Sequence, residues 1–368
     1  MLPDPIADAE ILIAEGRARE AADVLQALLT QGRGGLLLRV TLVRALIAVD
    51  DIASALDLAR ETAITNPQAA IAAACLGEAS LATGTLATAI GEFQRALRLD
   101  PLLTQARILL GSAWLAAGEA EKALEAFDAI AQEDASTELA VKIAEAQTMR
   151  ARPRSDPRYV RHLFDEFSAD YDARMLGQLA YSAPSILKQL AEILGIVGQK
   201  KYAILDLGCG TGLAGAAFKD IAARLDGIDL SPAMIKKARA RGIYDALDVS
   251  DLETALAAEE QHFDLILAAD TLVYLGNLRS VLAGAAKRLS AGGTFLFTVE
   301  KSETADFELG PKRRWRHSES YLRNEASRAG LDIVGLLACH PRSEAGVPVE
   351  GLAVALQKAQ ILRSLATL

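Results

Sequence analysis

Apolar positions follow two different patterns along this chain. Up to about residue 150 they recur at helical spacing, in stretches dominated by Ala, Leu and Glu. The strict alternation that marks a half-buried strand is almost absent there. The helical pattern also repeats. Ala21, Ala55, Ala89 and Ala123 stand 34 positions apart, and Gly16, Gly84 and Gly118 keep the same interval with Asp50 in the remaining slot. Leu76-Gly77 aligns with Leu110-Gly111, Phe93 with Phe127, and Pro67 with Pro101. A small residue suits a close helix crossing, a Gly or Asp suits the turn between helices, and a Pro suits a helix stop. The pattern predicts an all-α helical-repeat domain with four units over roughly 2–135, capped by a helix to about Arg150.

The stretch ARPRSDPR, Ala151 to Arg158, breaks the helical pattern with two prolines and places a domain boundary, giving domains 1–150 and 151–368. YVRHLFDEFSADYDARML then reads as one amphipathic helix, followed by a turn at Tyr181–Pro184 and a helix from Pro184 to Leu194. Beyond it short apolar runs alternate with helical stretches. Strands are expected at Ala203–Leu207, Leu225–Asp229, Ala246–Val249, from Phe263, at Thr294–Val299, Asp332–Ala338 and Gly351–Gln357. Helices are expected at Gly212–Ala223, Pro232–Arg241, Leu252–Ala258, Arg279–Leu289 and Ser318–Ala329. Such alternation predicts an α/β domain with a parallel sheet covered on both faces, closed by an antiparallel hairpin.

Composition narrows the function classes. A net charge of -9 opposes binding driven by nucleic-acid phosphates, although Lys312 to Arg316 form a local basic run. The three cysteines, Cys75, Cys209 and Cys339, are too few and too scattered for a disulfide framework or a zinc cluster, which reads as a reducing, cytoplasmic setting. No run is long and apolar enough for a membrane span, so no membrane partner is expected, and no His, Cys, Asp or Glu cluster has metal-ligand spacing, so no metal is expected.

The chemistry-bearing stretch is YAILDLGCGTG, Tyr202 to Gly212. An apolar strand ends at Asp206, and glycines at 208, 210 and 212 make a turn where a ligand can approach the backbone. A dinucleotide fingerprint needs a glycine where Leu213 stands. The acid ahead of the loop suits a cationic amino group better than a pyrophosphate. Two further acids follow expected strands: Asp229 in GIDLSPAM, and Asp251 in LDVSDL, where Asp248 is an alternative. A carboxylate can hold a vicinal diol with its two oxygens.

DLGCGTG resembles the first motif of class I S-adenosylmethionine-dependent methyltransferases, and the 34-residue period resembles the tetratricopeptide repeat. The whole chain resembles bacterial predicted methyltransferases that carry this repeat at the N-terminus. The resemblance implies a Rossmann-like domain with a mostly parallel seven-stranded sheet and S-adenosylmethionine as cofactor, leaving S-adenosylhomocysteine. It implies a cofactor loop of Asp206, Gly208, Cys209, Gly210 and Gly212, with Cys209 a small filler. Asp229 and Leu230 would face the ribose, and Asp251 and Leu252 the adenine. Ala269, Asp270 and Leu272 in AADTLVYLGNL would floor the methyl group. The helix bearing Phe164, Phe167 and Tyr171, with Asp165 and Asp172, would be a flap, and Tyr171 or Tyr181 would lie near the sulfonium.

In FELGPKRRWRHSESYL, Arg314, Trp315 and Tyr321 are the expected substrate contacts and His317 the general base, with Tyr181 a second catalytic candidate. Arg342 and Glu344 are weaker candidates of the same kind. The acceptor, a small metabolite, a lipid-like molecule or a protein side chain, stays open. The repeats suit a protein partner or self-association. Competing readings are a nucleotide-dependent oxidoreductase on a related sheet and a cofactor-binding adaptor without turnover.

Overall fold

The computed structural model describes residues 4–130, 136–198, 200–258 and 261–359. Its chain divides into two compact units, Met1–Ala151 and Arg152–Leu368.

The first unit is helical throughout its described residues. Pro5–Ala14, Ala18–Thr30, Leu36–Ala48, Ile52–Thr65, Ala70–Ala82, Leu86–Leu99, Thr104–Ala116, Ala120–Asp128 and Thr137–Ala151 follow one another through short turns. Each helix packs on the next, and the first, third, fifth, seventh and ninth also touch in succession. The period visible in the sequence is the period of this packing. Ala21, Ala55, Ala89 and Ala123 are all fully buried. Gly16, Asp50, Gly84 and Gly118 all take positive φ, between 63° and 79°, where a turn must reverse the chain. Gly77 and Gly111 admit the rings of Phe93 and Phe127, since a Cβ would lie 2.6 Å and 2.1 Å from those rings.

The second unit is an α/β sheet with helices on both faces. Its strands are β1 (Tyr202–Leu207), β2 (Ala222–Asp229), β3 (Ala246–Val249), β4 (Phe263–Ala268), β5 (Leu289–Lys301), β6 (Phe307–Leu309), β7 (Trp315–His317), β8 (Leu331–Cys339), the two-residue β9 (Ser343–Glu344) and β10 (Val347–Pro348), and β11 (Gly351–Lys358). Seven of them run in the order β3-β2-β1-β4-β5-β11-β8, with β6 and β7 attached beside β5. The first five are parallel, and β11 lies antiparallel between β5 and β8. Side chains alternate between two cores, as the pleat requires. Leu205, Ile266 and Phe295 pack against Val281, Leu282 and Leu322 on one face. Ile204, Leu265 and Leu296 pack against Leu187, Leu190 and Phe218 on the other. Strand order reverses between β1 and β4, which leaves a crevice beyond their carboxyl ends.

Several expected elements differ in extent. The helix after the glycine loop is short, Leu213–Phe218, and β2 begins at Ala222, where the sequence pattern placed helix. The long amphipathic helix is interrupted. Pro157–Phe167 is followed by Tyr171–Ala173 and a π turn, Arg174–Gln178. The basic segment before Ser318, read as a loop leading into a helix, is partly strand, because β7 pairs with both β5 and β6. The Pro-rich stretch at the boundary is tied into the second unit. Ser155 N–H donates to Tyr274 O at 2.8 Å, and Pro153 O accepts from Gly276 N–H and Asn277 N–H at 2.8 and 2.9 Å.

Candidate functional site

The segments after β1, β2, β3 and β4 wall one cavity, partly open to solvent. The loop after β1 enters the left-handed region at Gly208 (φ 64°), Gly210 (54°) and Gly212 (95°). These glycines do different work. A Cβ on Gly208 would meet the Thr271 side chain at 2.4 Å, so Gly208 lets the β1 and β4 ends close on each other. Thr271 Oγ1 completes that closure by donating to Leu207 O at 3.1 Å. A Cβ on Gly210 would meet nothing within 4 Å, which leaves its side of the loop free for a ligand.

Asp206 lies beneath the loop, nearly fully buried. Its Oδ2 accepts from Tyr244 O–H at 2.6 Å and Gly215 N–H at 3.0 Å, while Oδ1 has no partner. Burial pushes this carboxyl up to about 6, against the lowering effect of its two donors. Asp229 closes β2 with Oδ2 accepting from Gly210 N–H at 2.9 Å and Oδ1 from Ser231 N–H at 2.8 Å. A carboxylate has about four acceptor positions, so two remain for a diol. Burial raises its pKa and these bonds oppose the shift. Asp251 lines the cavity at a helix N-cap, where Oδ1 accepts from Glu253 N–H at 3.0 Å. Its Oδ2 pairs with Arg154 Nη2 at 2.6 Å. Asp248 is exposed and lies off the cavity wall.

Tyr171, Gly208, Gly210, Asp229, Leu230, Asp251, Leu252, Ala269 and Asp270, all picked out from the sequence, share this one cavity. Cys209 and Gly212 do not line it. Cys209 packs against Ile235 and Ala238, and Gly212 makes room for Arg241 and Tyr244. Leu272 is fully buried in the core behind it. The flap segment is pinned by acids. Asp165 accepts from Ser231 O–H and Asp172 from Thr211 O–H, each at 2.5 Å, and Arg241 bonds both Asp172 and Thr211 O. The oxygens of Asp229, the open face of Gly210 and the apolar Leu230 and Leu252 therefore fit a nucleoside, with the Asp206 carboxyl buried beneath the loop.

Asp270 is a non-glycine residue at φ 56°. Its backbone N–H donates to Thr298 Oγ1 at 2.8 Å. Its Oδ1 accepts from Arg342 Nη1 at 2.6 Å and its Oδ2 from Arg314 Nη1 at 3.2 Å. Arg342, expected as a minor loop residue, is 1% exposed and also pairs with Glu300 and Glu344. Arg314 borders an adjoining cavity.

The other expected catalytic and substrate residues lie elsewhere. His317 is fully buried in β7, donates from Nε2 to Gly276 O at 3.1 Å, and stacks on Tyr321. Burial lowers its pKa to about 4, so it is neutral near pH 7 and sits away from the cavity wall, a position unsuited to a general base. Trp315 packs on Phe307 with its ring against Gly276. Tyr321 is buried, with its O–H accepting from Leu278 N–H at 2.8 Å. These two brace the β6–β7 addition. Tyr181 donates to Ala269 O at 3.2 Å, behind the cavity floor, and burial raises its pKa.

Arg154, Ser155, Val160 and Tyr274 also line the wall, and none of them stands out in the sequence as a site residue. Arg154 pairs with Asp251 and Glu253 across some hundred residues, and a contact at that separation leaves no periodic trace. Val160, one helical turn before Phe164, could have been found by extending the amphipathic stripe back from Phe164 and Tyr171.

Comparison with known proteins adds sequence-level evidence. Residues 205–295 match the family model described as "Methyltransferase domain". An 18S rRNA (guanine-N(7))-methyltransferase from Bos taurus is 28% identical over 153 residues, 41% of this chain and 53% of that protein. A ubiquinone biosynthesis O-methyltransferase from Xanthomonas campestris is 29% identical over 107 residues, 28% of this chain and 45% of that protein. The chain thus spans about half the length of the curated relatives it matches. Among solved structures, a Burkholderia thailandensis 1,6-didemethyltoxoflavin-N1-methyltransferase with bound S-adenosylhomocysteine is 20% identical, with a TM-score of 0.44, covering 56% of this chain and 92% of that one. By sequence, residues 205–295 are similar to a methyltransferase domain, and they lie in the mostly parallel sheet.

Proposed function

We propose that the chain transfers a methyl group from S-adenosylmethionine to an acceptor. The observation that carries this reading is the convergence of the Asp229 and Asp251 carboxylates and the open Gly210 backbone on one cavity, with an unpartnered Asp206 oxygen beneath its loop. Asp229 holds the ribose hydroxyls, Asp251 with Leu252 faces the adenine, and the glycine loop with Asp206 receives the amino-acid end. When bound, this donor supplies a methyl group on a sulfonium, which leaves with its C–S electron pair on sulfur. The protein then contributes alignment and exclusion of water, which in favourable cases lower a barrier by about 7–11 kcal/mol. The Asp165 and Asp172 latches hold the flap segment for that purpose.

Calorimetry on the purified chain tests the reading. S-adenosylhomocysteine is expected to bind in the micromolar range, and Asp229→Ala to weaken it about a hundredfold, the loss of about 2–3 kcal/mol of charge-assisted hydrogen bonding. Heat with NAD(H) in place of S-adenosylhomocysteine would reverse the reading toward an oxidoreductase.

For the first unit, the 34-residue packing period supports tetratricopeptide-type repeats that bind a protein partner or a second copy of the chain. Removing residues 1–150 is expected to leave S-adenosylhomocysteine binding intact while abolishing that association, which light scattering and pull-down measure.

A further inference from the structure

A second cavity, open to solvent, adjoins the first, and Phe164, Tyr171, Asp270 and Tyr274 wall both. Its lining is mainly aromatic and aliphatic. Phe164 meets Tyr171 and Tyr274 edge-on at 6.1 and 5.6 Å, and Leu163, Phe167 and Met175 extend the surface. Two guanidinium groups border it. Arg174 lies over the Phe167 ring at 4.5 Å and has no carboxylate partner among the described residues. Arg314 gives one hydrogen bond, from Nη1 to Asp270, and keeps its other N–H groups free of protein acceptors among the described residues. The carboxylate in the wall, Asp270, has both oxygens committed to arginines, Arg314 and the buried Arg342. An apolar chamber with this surplus of positive charge suits an anion on an apolar body.

Among the described residues no histidine lines this wall, and His317 is buried away from either cavity. Burial raises the pKa of both Tyr171 and Tyr274, so each keeps its proton near neutrality. Asp270 is held by Arg314 and Arg342. An acceptor that arrives ionised needs no group to take its proton.

We propose that this second cavity holds the methyl acceptor and that the acceptor is a small apolar carboxylate, drawn in by Arg174 and Arg314. The inference rests on the methyl-donor reading of the first cavity. A carboxylate oxygen forms the new O–CH3 bond as the donor's C–S bond breaks, the electron pair remains on sulfur, and no proton moves. The products are a methyl ester and the thioether.

The test uses the full chain. It is first titrated with S-adenosylhomocysteine, then, once saturated, with trans-cinnamate, decanoate and their primary amides. At least one acid is expected to bind at least tenfold more tightly than its amide, and Arg174→Glu to erase that preference while S-adenosylhomocysteine still binds. With a tritium-labelled methyl donor, the tighter acid is expected to yield a product whose label alkali releases as methanol. Equal binding of acids and amides, no binding of either, an unchanged preference in Arg174→Glu, or absence of alkali-labile label would overturn the proposal and leave the donor reading standing. Failure of S-adenosylhomocysteine itself to bind would remove both.

Discussion

The two units of this chain build their contacts on opposite principles. In the helical unit a residue's partner lies at a fixed distance along the sequence. Phe93 fills the gap at Gly77 and Phe127 the gap at Gly111, while Arg44 reaches Glu78 one period away. In the sheet unit the decisive contacts join remote segments: Arg154 to Asp251, Thr211 to Asp172, Arg342 to Asp270 and Glu300. Local contacts cost little loop-closure entropy and repeat with the sequence. Remote ones form only once the strand order is established.

The contrast is tested most severely by the buried ions. Arg342→Met strips the buried Asp270 and Glu300 of their shared partner and is expected to destabilise the sheet unit by about 3–5 kcal/mol in denaturant unfolding. A smaller loss than that of an exposed pair would mean that the cluster is hydrated. Next in size is Asp206. Its carboxyl, with a usual value of 3.8, is raised to about 6 in the fold, so the folded state holds the proton more tightly than the unfolded chain. Stability from this group is therefore full below pH 4 and falls as pH rises to 6, by up to about 3 kcal/mol. Asp206→Asn is expected to match the wild type near pH 4 and to exceed it progressively up to pH 6. In the wild type S-adenosylhomocysteine should bind more tightly as pH rises from 5 to 7, because an ammonium group favours the ionised carboxylate. A flat pH profile in the variant's favour would sink this account.

In the helical unit, Gly111→Val sets a branched side chain against the Phe127 ring and should cost about 1–3 kcal/mol, seen as a lowered thermal transition of that unit with S-adenosylhomocysteine affinity unchanged. The smallest effect is expected of Arg44→Met. Its bidentate pair with Glu78 spans one repeat but is partly exposed, so the loss should stay within about 1 kcal/mol. A cost approaching that of Arg342→Met would erase the distinction between the units.

Legibility in the sequence tracks the same division. The turn positions Gly16, Asp50, Gly84 and Gly118 and the buried alanines could be read from periodicity because each repeat meets the same neighbours. In the sheet unit the glycines after β1 are legible because positive φ favours that residue there, and the acids because they follow expected strands. Asp229, Asp251 and Gly210 were found in this way and line one cavity. His317, Trp315 and Tyr321 stand out in the sequence for their chemistry and for their place after the fifth strand, a region that the resemblance gives to the substrate. Nothing in a linear run of basic and aromatic residues reveals that β6 and β7 fold it against β5 and bury His317. Arg154 was read only as part of a Pro-rich boundary, although Pro153 and Ser155 tie it to the 274–277 segment.

The sequence by itself determined the helical period, the alternation of strand and helix, and the glycine loop with its acids. Those features depend on local backbone conformation and on which face of an element is apolar. Only the tertiary structure decided which charges share a wall, that Arg342 is buried among three carboxylates, and that a second, positively bordered cavity adjoins the first. The physical reason is that side chains some forty to a hundred residues apart meet through the order and register of strands. That order is set by the whole sheet at once and is written in no single stretch of the chain.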